Sequence, residues 1–138
     1  MKNVLALSLS VLSVVALGYQ APKPRMESAI ALADRLKAEV PTAGSHLFAE
    51  GEHATVNLIN TSAAVPKHYH AKHDETVVVL RGRGKMTLGE EERTVSAGDA
   101  IFVPEGTHHA FEPISDDVVI VSVFSPKWDG KDRIIVGR

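Results

Sequence analysis

Cysteine is absent from this 138-residue chain, so disulfide bonds cannot hold the fold. The sequence also lacks a G-x-S-x-G nucleophile motif and a glycine-rich phosphate loop. Apart from one group of histidines and a glutamate, no residue is an obvious catalytic acid, base or nucleophile. The length predicts a single domain. Because disulfide bonds are excluded, the stability of this domain must come from packing and from any metal that it binds.

A strong charge of either sign is also missing, since the formal net charge is only −2. The one basic cluster is Arg81, Arg83 and Lys85. Three glutamates at residues 90–92 follow it within the same predicted hairpin. Opposite charges in one hairpin are typical of a solvated ribbon and not of a nucleic-acid surface. We therefore expect no nucleic-acid partner.

The first 18 residues have the pattern of a secretory signal peptide. Lys2 gives a positive start, and residues 4–17 are apolar except for three serines. This run is shorter than the ~18 residues of a spanning helix, which leaves an uncleaved anchor as the lesser alternative. We predict a signal peptide over residues 1–18 with cleavage after Gly18. The mature chain is then periplasmic or secreted, with no membrane attachment.

Residues 19–43 are predicted to form a linker and one N-terminal helix. The stretch from Met26 to Val40 repeats apolar residues near one helical face, with Met26 and Ile30 among them. Pro41 ends the helix because proline cannot continue the hydrogen-bond ladder. We expect this helix to pack on the outside of the domain that follows.

Residues 44–138 are predicted to form one β-domain, because runs of β-branched residues alternate there with turn residues. The predicted strands are 45–49, 54–60, 76–80, 85–88, 92–95, 100–103, one that begins at His109, 118–124 and 134–136. Gly89 lies in the predicted hairpin between the fourth and fifth of these.

The most informative part of the chain contains three histidines and one glutamate. His68 and His70 are two residues apart, so both side chains can point to the same face of one strand. A turn after them would bring Glu75, at the start of the next strand, back beside the pair. The turn Pro104-Glu105-Gly106 leads to His109, which can supply a third imidazole.

Imidazole and carboxylate are the ligands that borderline divalent ions accept. The spacing therefore predicts one divalent transition metal (Fe, Mn, Ni, Cu or Zn) bound by His68, His70, Glu75 and His109. Glu75 has two open roles, fourth ligand or neighbouring acid–base group, and we favour ligation. If the chain folds outside the cytoplasm, the intrinsic affinity order favours Cu or Zn over Mn or Fe.

These two groups of residues resemble the two motifs of the cupins. The first motif, G-x5-H-x-H-x4-E-x6-G, is matched from Ser62 to Gly82. The second, G-x5-P-x-G-x2-H-x3-N, is matched from Gly98 to Pro113. Ser62 and Pro113 depart from the pattern, but neither position is a metal ligand in the family. The resemblance covers about residues 45–125. It implies an all-β fold, a small double-stranded β-helix (jelly-roll) barrel with one N-terminal helix.

The resemblance says less about the reaction, because one fold hosts many functions. Quercetinase-like and acireductone-type dioxygenases of the superfamily have comparable ligand sets, and the family suggests Fe, Mn or Ni. We therefore expect a dioxygenase-like, metal-dependent enzyme acting on a small organic substrate, with Glu75 completing the metal shell or taking a substrate proton. Two alternatives stay open, a non-catalytic module that binds a metal or small ligand and a Lewis-acid isomerase or lyase. Cupins are often dimers, and exposed barrel edges would suit a homodimer.

Residues close to the motifs receive structural predictions. His73 is expected to be exposed to solvent, and strand alternation turns His108 away from the metal. The only tryptophan, Trp128, is expected to pack against the barrel. The candidate cavity residues are Val79, Met86, Phe102, Phe111 and Tyr69, of which Tyr69 is expected to face outward.

Overall fold

The structure is a computed structural model that describes residues 22–39 and 43–137. The predicted signal peptide, residues 1–18, lies outside the described residues, so its cleavage and the export of the chain stay predictions. Within the described part of the chain, no helix is both long enough and apolar enough to cross a membrane.

The helix α1 spans Ala29–Glu39 and begins three residues later than predicted. The reason is an N-cap, since the Ser28 hydroxyl accepts a hydrogen bond of 3.3 Å from the main-chain N–H of Ala31. Met26 therefore precedes the helix and is 99% exposed. The predicted end at Val40 lies outside the described residues.

Ten strands in the described residues form two five-stranded sheets that face each other. The first sheet has the order β1 (Ala43–Glu50), β2 (Thr55–Thr61), β9 (Val118–Ser125), β4 (Asp74–Arg81) and β7 (Ala100–Val103). The second has the order β10 (Ile134–Ile135), β3 (Val65–Tyr69), β8 (His109–Pro113), β5 (Arg83–Leu88) and β6 (Glu91–Ser96). All neighbouring strands are antiparallel. This is the predicted all-β jelly roll, the double-stranded β-helix barrel, with one N-terminal helix.

The predicted strands agree with the structure to within a few residues. Strands β5 and β6 form the predicted hairpin, in which Leu88 pairs with Glu91 and Gly89 has a φ of 61°. Glycine suits this left-handed turn because it has no Cβ. The division of the chain at residue 43 stays a prediction, and β1 already begins at Ala43.

Helix α1 covers the outer face of the first sheet, as predicted. Leu32 and Ala33 are buried there against Leu58 of β2 and Val119 of β9. Ile30, which the sequence placed on the buried face, is 37% exposed instead. The helix therefore shields one side of β9, while the other side faces the barrel interior.

The barrel interior is packed at one end and open at the other. A cluster of buried side chains from both sheets fills the packed end: Val79, Met86, Val95, Ile101 and Val103. Burying these apolar groups stabilises the fold by roughly 1.5–3 kcal/mol for each large side chain. The histidine motifs lie towards the open end of the barrel, and the cluster at the packed end supports them.

Candidate metal centre and its cavity

The structure brings the three predicted histidines together. His68 of β3 lies directly opposite His109 of β8, and their ring centroids are 4.1 Å apart. The ring of His70, just after β3, is 5.1 Å from that of His68 and 5.2 Å from that of His109. One ring nitrogen from each residue lies within 4.8 Å of the other two, and all three side chains are buried.

Main-chain carbonyls orient all three imidazoles. Each ring places Nδ1 against one carbonyl oxygen: Pro66 for His68 at 2.8 Å, Thr107 for His109 at 2.9 Å, and Asp132 for His70. A carbonyl only accepts hydrogen bonds, so Nδ1 carries the proton and donates in each case. The lone pair of Nε2 is then left for a metal, as in many metal-ligating histidines.

Glu75 of β4 lies beside two of the three imidazoles, those of His70 and His109, and is not part of the group of three. Its Oε2 atom lies 3.5 Å from Nε2 of His70 and 3.3 Å from Nε2 of His109. Its Oε1 atom accepts a hydrogen bond of 2.5 Å from the hydroxyl of Ser122, which is fully buried. The two Nε2 atoms are buried and make no hydrogen bond of good geometry in the described structure. A divalent cation among them would satisfy both, so the residues fit the predicted metal.

The surroundings of Glu75 keep it ionised. Burial alone would raise its pKa, but contacts with His109 and His70 and the Ser122 hydrogen bond outweigh burial. The pKa of the Glu75 carboxyl is therefore held well below its usual range. For His70, burial disfavours the charged ring, yet the Glu75 carboxylate and the carbonyl of Asp132 raise its pKa above the usual value. An anionic Glu75 suits a metal ligand better than it suits a proton donor.

His68 is the histidine most strongly kept neutral. Burial lowers its pKa to about 4, against the opposing effect of the hydrogen bond to Pro66. Nearby positive charge, including that of Arg133, acts in the same direction as burial. His68 is therefore already a neutral imidazole at pH 6–7, the form that a metal binds.

His73 is buried and not exposed, so that prediction was wrong. Only 3% of His73 is exposed, and its Nδ1 lies 2.6 Å from the carboxylate of Asp132. The same carboxylate accepts hydrogen bonds of 2.8 Å from the main-chain N–H groups of Ala71 and Lys72. Asp132 thus closes the turn between His70 and Glu75.

The second motif is tied to the first by its turn. Gly106, at φ 74°, donates its main-chain N–H to the carbonyl of His70 at 2.6 Å. The carboxylate of Asp74 accepts the N–H of Glu105 at 2.9 Å. These two bonds hold the turn that leads to His109 against the segment that runs from His70 to the start of β4.

The candidate metal centre opens into a cavity of about 920 Å³ between the two sheets. Three of the predicted residues, Val79, Met86 and Phe111, line it. Phe102 does not, since its side chain lies on the outside of β7 and is 56% exposed. Tyr69 faces outward as predicted and packs against the ring of His108, which is also turned away from the centre.

Trp128 closes one side of the cavity. Its ring lies 4.4 Å from Phe124, 5.3 Å from His70 and 5.0 Å from His73, between centroids. Its main-chain N–H donates to the hydroxyl of Thr55 at 2.9 Å. The prediction that Trp128 packs on the barrel is correct, and this packing also places an aromatic wall beside His70.

Two residues that support the site escaped the sequence analysis. Ser122 is the one polar residue inside β9, whose other serine, Ser125, is its exposed last residue, and this isolation is a signal that could have drawn attention to Ser122. Asp132 carries no such signal, because it lies in a polar turn and contacts residues about 60 positions earlier.

The family model described as "Cupin domain" matches residues 55–124, and the chain belongs to this family. An uncharacterized protein of Aquifex aeolicus is 42% identical over 69 residues, 50% of this chain and 57% of that protein. The chain thus spans little more than half of that relative.

Solved structures share the fold, among them KdgF and Pac13. KdgF from Halomonas sp. is 26% identical, with a TM-score of 0.62 over 64% of this chain and 83% of that chain. Pac13 of Streptomyces, described as a nucleoside dehydratase, is 20% identical, with a TM-score of 0.56 over 67% of this chain and 84% of that chain. The likeness to Pac13 establishes the fold alone.

Proposed function

We propose that this protein binds one divalent transition metal through His68, His70, His109 and Glu75. We further propose that it is a dioxygenase-like, metal-dependent enzyme acting on a small organic substrate. The observation that carries the proposal is a group of three buried imidazoles, with the Glu75 carboxylate beside two of them, at the wall of a cavity of about 920 Å³. Metal sites that are only structural are closed, whereas catalytic sites keep an open position.

The chain's own residues have distinct roles in this proposal. When bound, the ion supplies Lewis-acid polarisation of a substrate oxygen and, if it is redox-active, electron transfer to dioxygen. The three imidazoles hold the ion, with their Nδ1–H groups fixed to carbonyls. Glu75 completes the ligand set, and it is the one acidic residue among the described residues that line the cavity. Most of the remaining wall is apolar and suits an apolar part of the substrate.

A lyase or isomerase that uses the ion only as a Lewis acid is the second candidate. It is favoured by Pac13, a dehydratase with the same fold. A binding module without turnover is the remaining alternative. The volume of the cavity argues against a module that only stores metal, since such a site needs no space of substrate size beside the ion, whereas a module that binds a small ligand would need that space.

The metal part of the proposal is tested with neighbouring histidines. His109→Ala removes one predicted ligand, whereas His108→Ala removes an exposed ring that faces away from the centre. After dialysis against buffer that contains only a trace of metal, wild type and His108→Ala should each retain about one ion per chain. His109→Ala should bind at least about tenfold more weakly. Equal occupancy in all three proteins, measured by elemental analysis, would show that the site is assigned wrongly.

The reaction is tested with the metal-loaded full chain. Oxygen uptake is measured on a panel of enols and flavonols, and on hydroxy acids whose dehydration needs no oxidant. Oxygen consumption that disappears in Glu75→Gln supports the dioxygenase. Product formation without oxygen consumption supports the lyase. No turnover of any substrate by fully loaded protein would favour the binding module. Mass spectrometry of chain purified from its native compartment tests the proposed cleavage after Gly18.

A further inference from the structure

One exposed cation that lines the cavity, Arg133, has no charged partner among the described residues. Apart from the three histidines, only Glu75 and Arg133 have acidic or basic side chains among the described residues that line the cavity. The guanidinium of Arg133 is exposed and forms no ion pair or side-chain hydrogen bond within residues 22–39 and 43–137. It is therefore available to a molecule that enters the cavity.

The main chain holds Arg133 in place from both sides. On one side Asp132 is anchored by its carboxylate to the turn at residues 71–73. On the other side β10 pairs with β3, so that Ile135 lies opposite His68. The main-chain N–H of Arg133 also donates to the carbonyl of Lys131 at 2.8 Å. An arginine held in this way keeps its charge near the imidazole of His68.

We propose that Arg133 binds an anionic group at the cavity mouth, and that the substrate is a small organic carboxylate with an apolar body. This inference rests on the proposed function, because it takes the cavity as the substrate site. The planar fork of a guanidinium matches the two oxygens of a carboxylate. One arginine with no second cation suits a single carboxylate better than a phosphate, which carries more charge and more acceptors.

The remaining walls of the cavity suit the apolar body of such a substrate. The cavity is lined by apolar side chains from both sheets, including Val77, Ile101 and Ile120. A divalent ion and Arg133 together would carry more positive charge than Glu75 offsets. An anionic ligand would restore the balance, whereas a neutral one would not.

The test compares two probes of the same shape and different charge. Cyclohexanecarboxylate and cyclohexanecarboxamide are titrated by calorimetry into the full chain, once after EDTA treatment and once loaded with Zn²⁺. Neither probe absorbs where tryptophan does, so a change in Trp128 emission reports binding in the cavity. The variants are Arg133→Gln, Arg133→Lys and the control Lys131→Gln, an exposed lysine two residues away that does not line the cavity.

Wild type and Lys131→Gln should bind the carboxylate about tenfold or more tightly than the amide, in both metal states. In the EDTA-treated protein, Arg133→Gln should lose this preference, and Arg133→Lys should keep part of it. Zn²⁺ content should be equal in all four loaded proteins, which separates this proposal from the metal site. A preference that survives in metal-free Arg133→Gln, or that metal-free wild type lacks, would overturn the proposal. Tighter binding of cyclohexyl phosphate than of the carboxylate would overturn the carboxylate assignment.

Discussion

The carboxylate of Asp132 lies 2.6 Å from Nδ1 of His73, although 59 residues separate the two along the chain. Nε2 of His73 lies 3.1 Å from the carbonyl of Lys127, so both ring nitrogens face acceptors. Both members of the pair are buried. This contact joins the segment after β9 to the turn that separates the first two candidate ligands from Glu75.

Replacing Asp132 with Asn should loosen that turn. The amide keeps the size of the side chain but cannot accept from Ala71, Lys72 and His73 as the carboxylate does. We expect a loss of about 1–3 kcal/mol in the free energy of unfolding and a roughly tenfold loss in metal affinity. Urea denaturation and metal titration measure the two effects. Asp116→Asn, which changes an exposed acid, is the control, and an Asp132→Asn protein that matches it would contradict this prediction.

Replacing Ser122 with Ala should release Glu75. The hydroxyl of Ser122 donates to Oε1, and its loss leaves one buried carboxylate oxygen without this partner. We expect a destabilisation of about 1–3 kcal/mol and weaker metal binding, because Oε2 is no longer aimed at His70 and His109. Infrared spectroscopy of the carboxylate stretch checks the change at Glu75. Ser125→Ala, at the exposed end of the same strand, should change neither property.

His68 makes the stability of the metal-free protein depend on pH. The pKa of His68 is lowered to about 4 in the folded chain, against 6.5 ordinarily. As pH falls below 6.5, the unfolded chain takes up a proton at His68 that the folded chain refuses, so stability is lost down to pH 4. In EDTA, the melting temperature of wild type should therefore fall more steeply over this range than that of His68→Gln. Parallel curves would contradict the prediction.

Gly84 leaves room for Phe111 in the barrel. A Cβ on Gly84 would lie 2.1 Å from Cζ of Phe111 and 2.8 Å from the main-chain oxygen of Glu112. The second contact is with the backbone of the paired strand, so it cannot be relieved by a rotamer change. We expect Gly84→Ala to destabilise the fold by about 1–3 kcal/mol, measured by thermal denaturation. Gly51→Ala is the control, since its Cβ would meet only an oxygen at 4.0 Å.

The candidate ligands could be found from the sequence because strand alternation and turn residues are local signals. His68 and His70 share a face through a spacing of two, and the turn before His109 contains proline and glycine. The supporting residues could not be found in this way. Ser122 and Asp132 contact partners 47 and about 60 residues away, and only the order of strands in the folded barrel brings them there.

The same limit explains two errors. His73 follows His68 and His70 in a polar stretch of the sequence, which favours exposure of its side chain. It is buried because Asp132, distant in sequence, supplies a partner for its ring. Phe102 alternates with the inward residues Ile101 and Val103, so its neighbours on β7 already indicated that it faces outward. For Phe102, nearness to a motif in the sequence predicted the direction of the side chain less well than strand alternation did.

Through the contacts of Asp132, metal occupancy of the site and the order of the C-terminal segment affect each other. Asp132 contributes its carbonyl to His70 and its carboxylate to the turn, so any ion that fixes His70 also fixes the segment that carries Trp128. By linkage, if metal binding stabilises the ordered form of that segment by some free energy, ordering the segment strengthens metal binding by the same free energy. The rate of amide hydrogen exchange over residues 126–136 would therefore report how tightly the centre binds its ion.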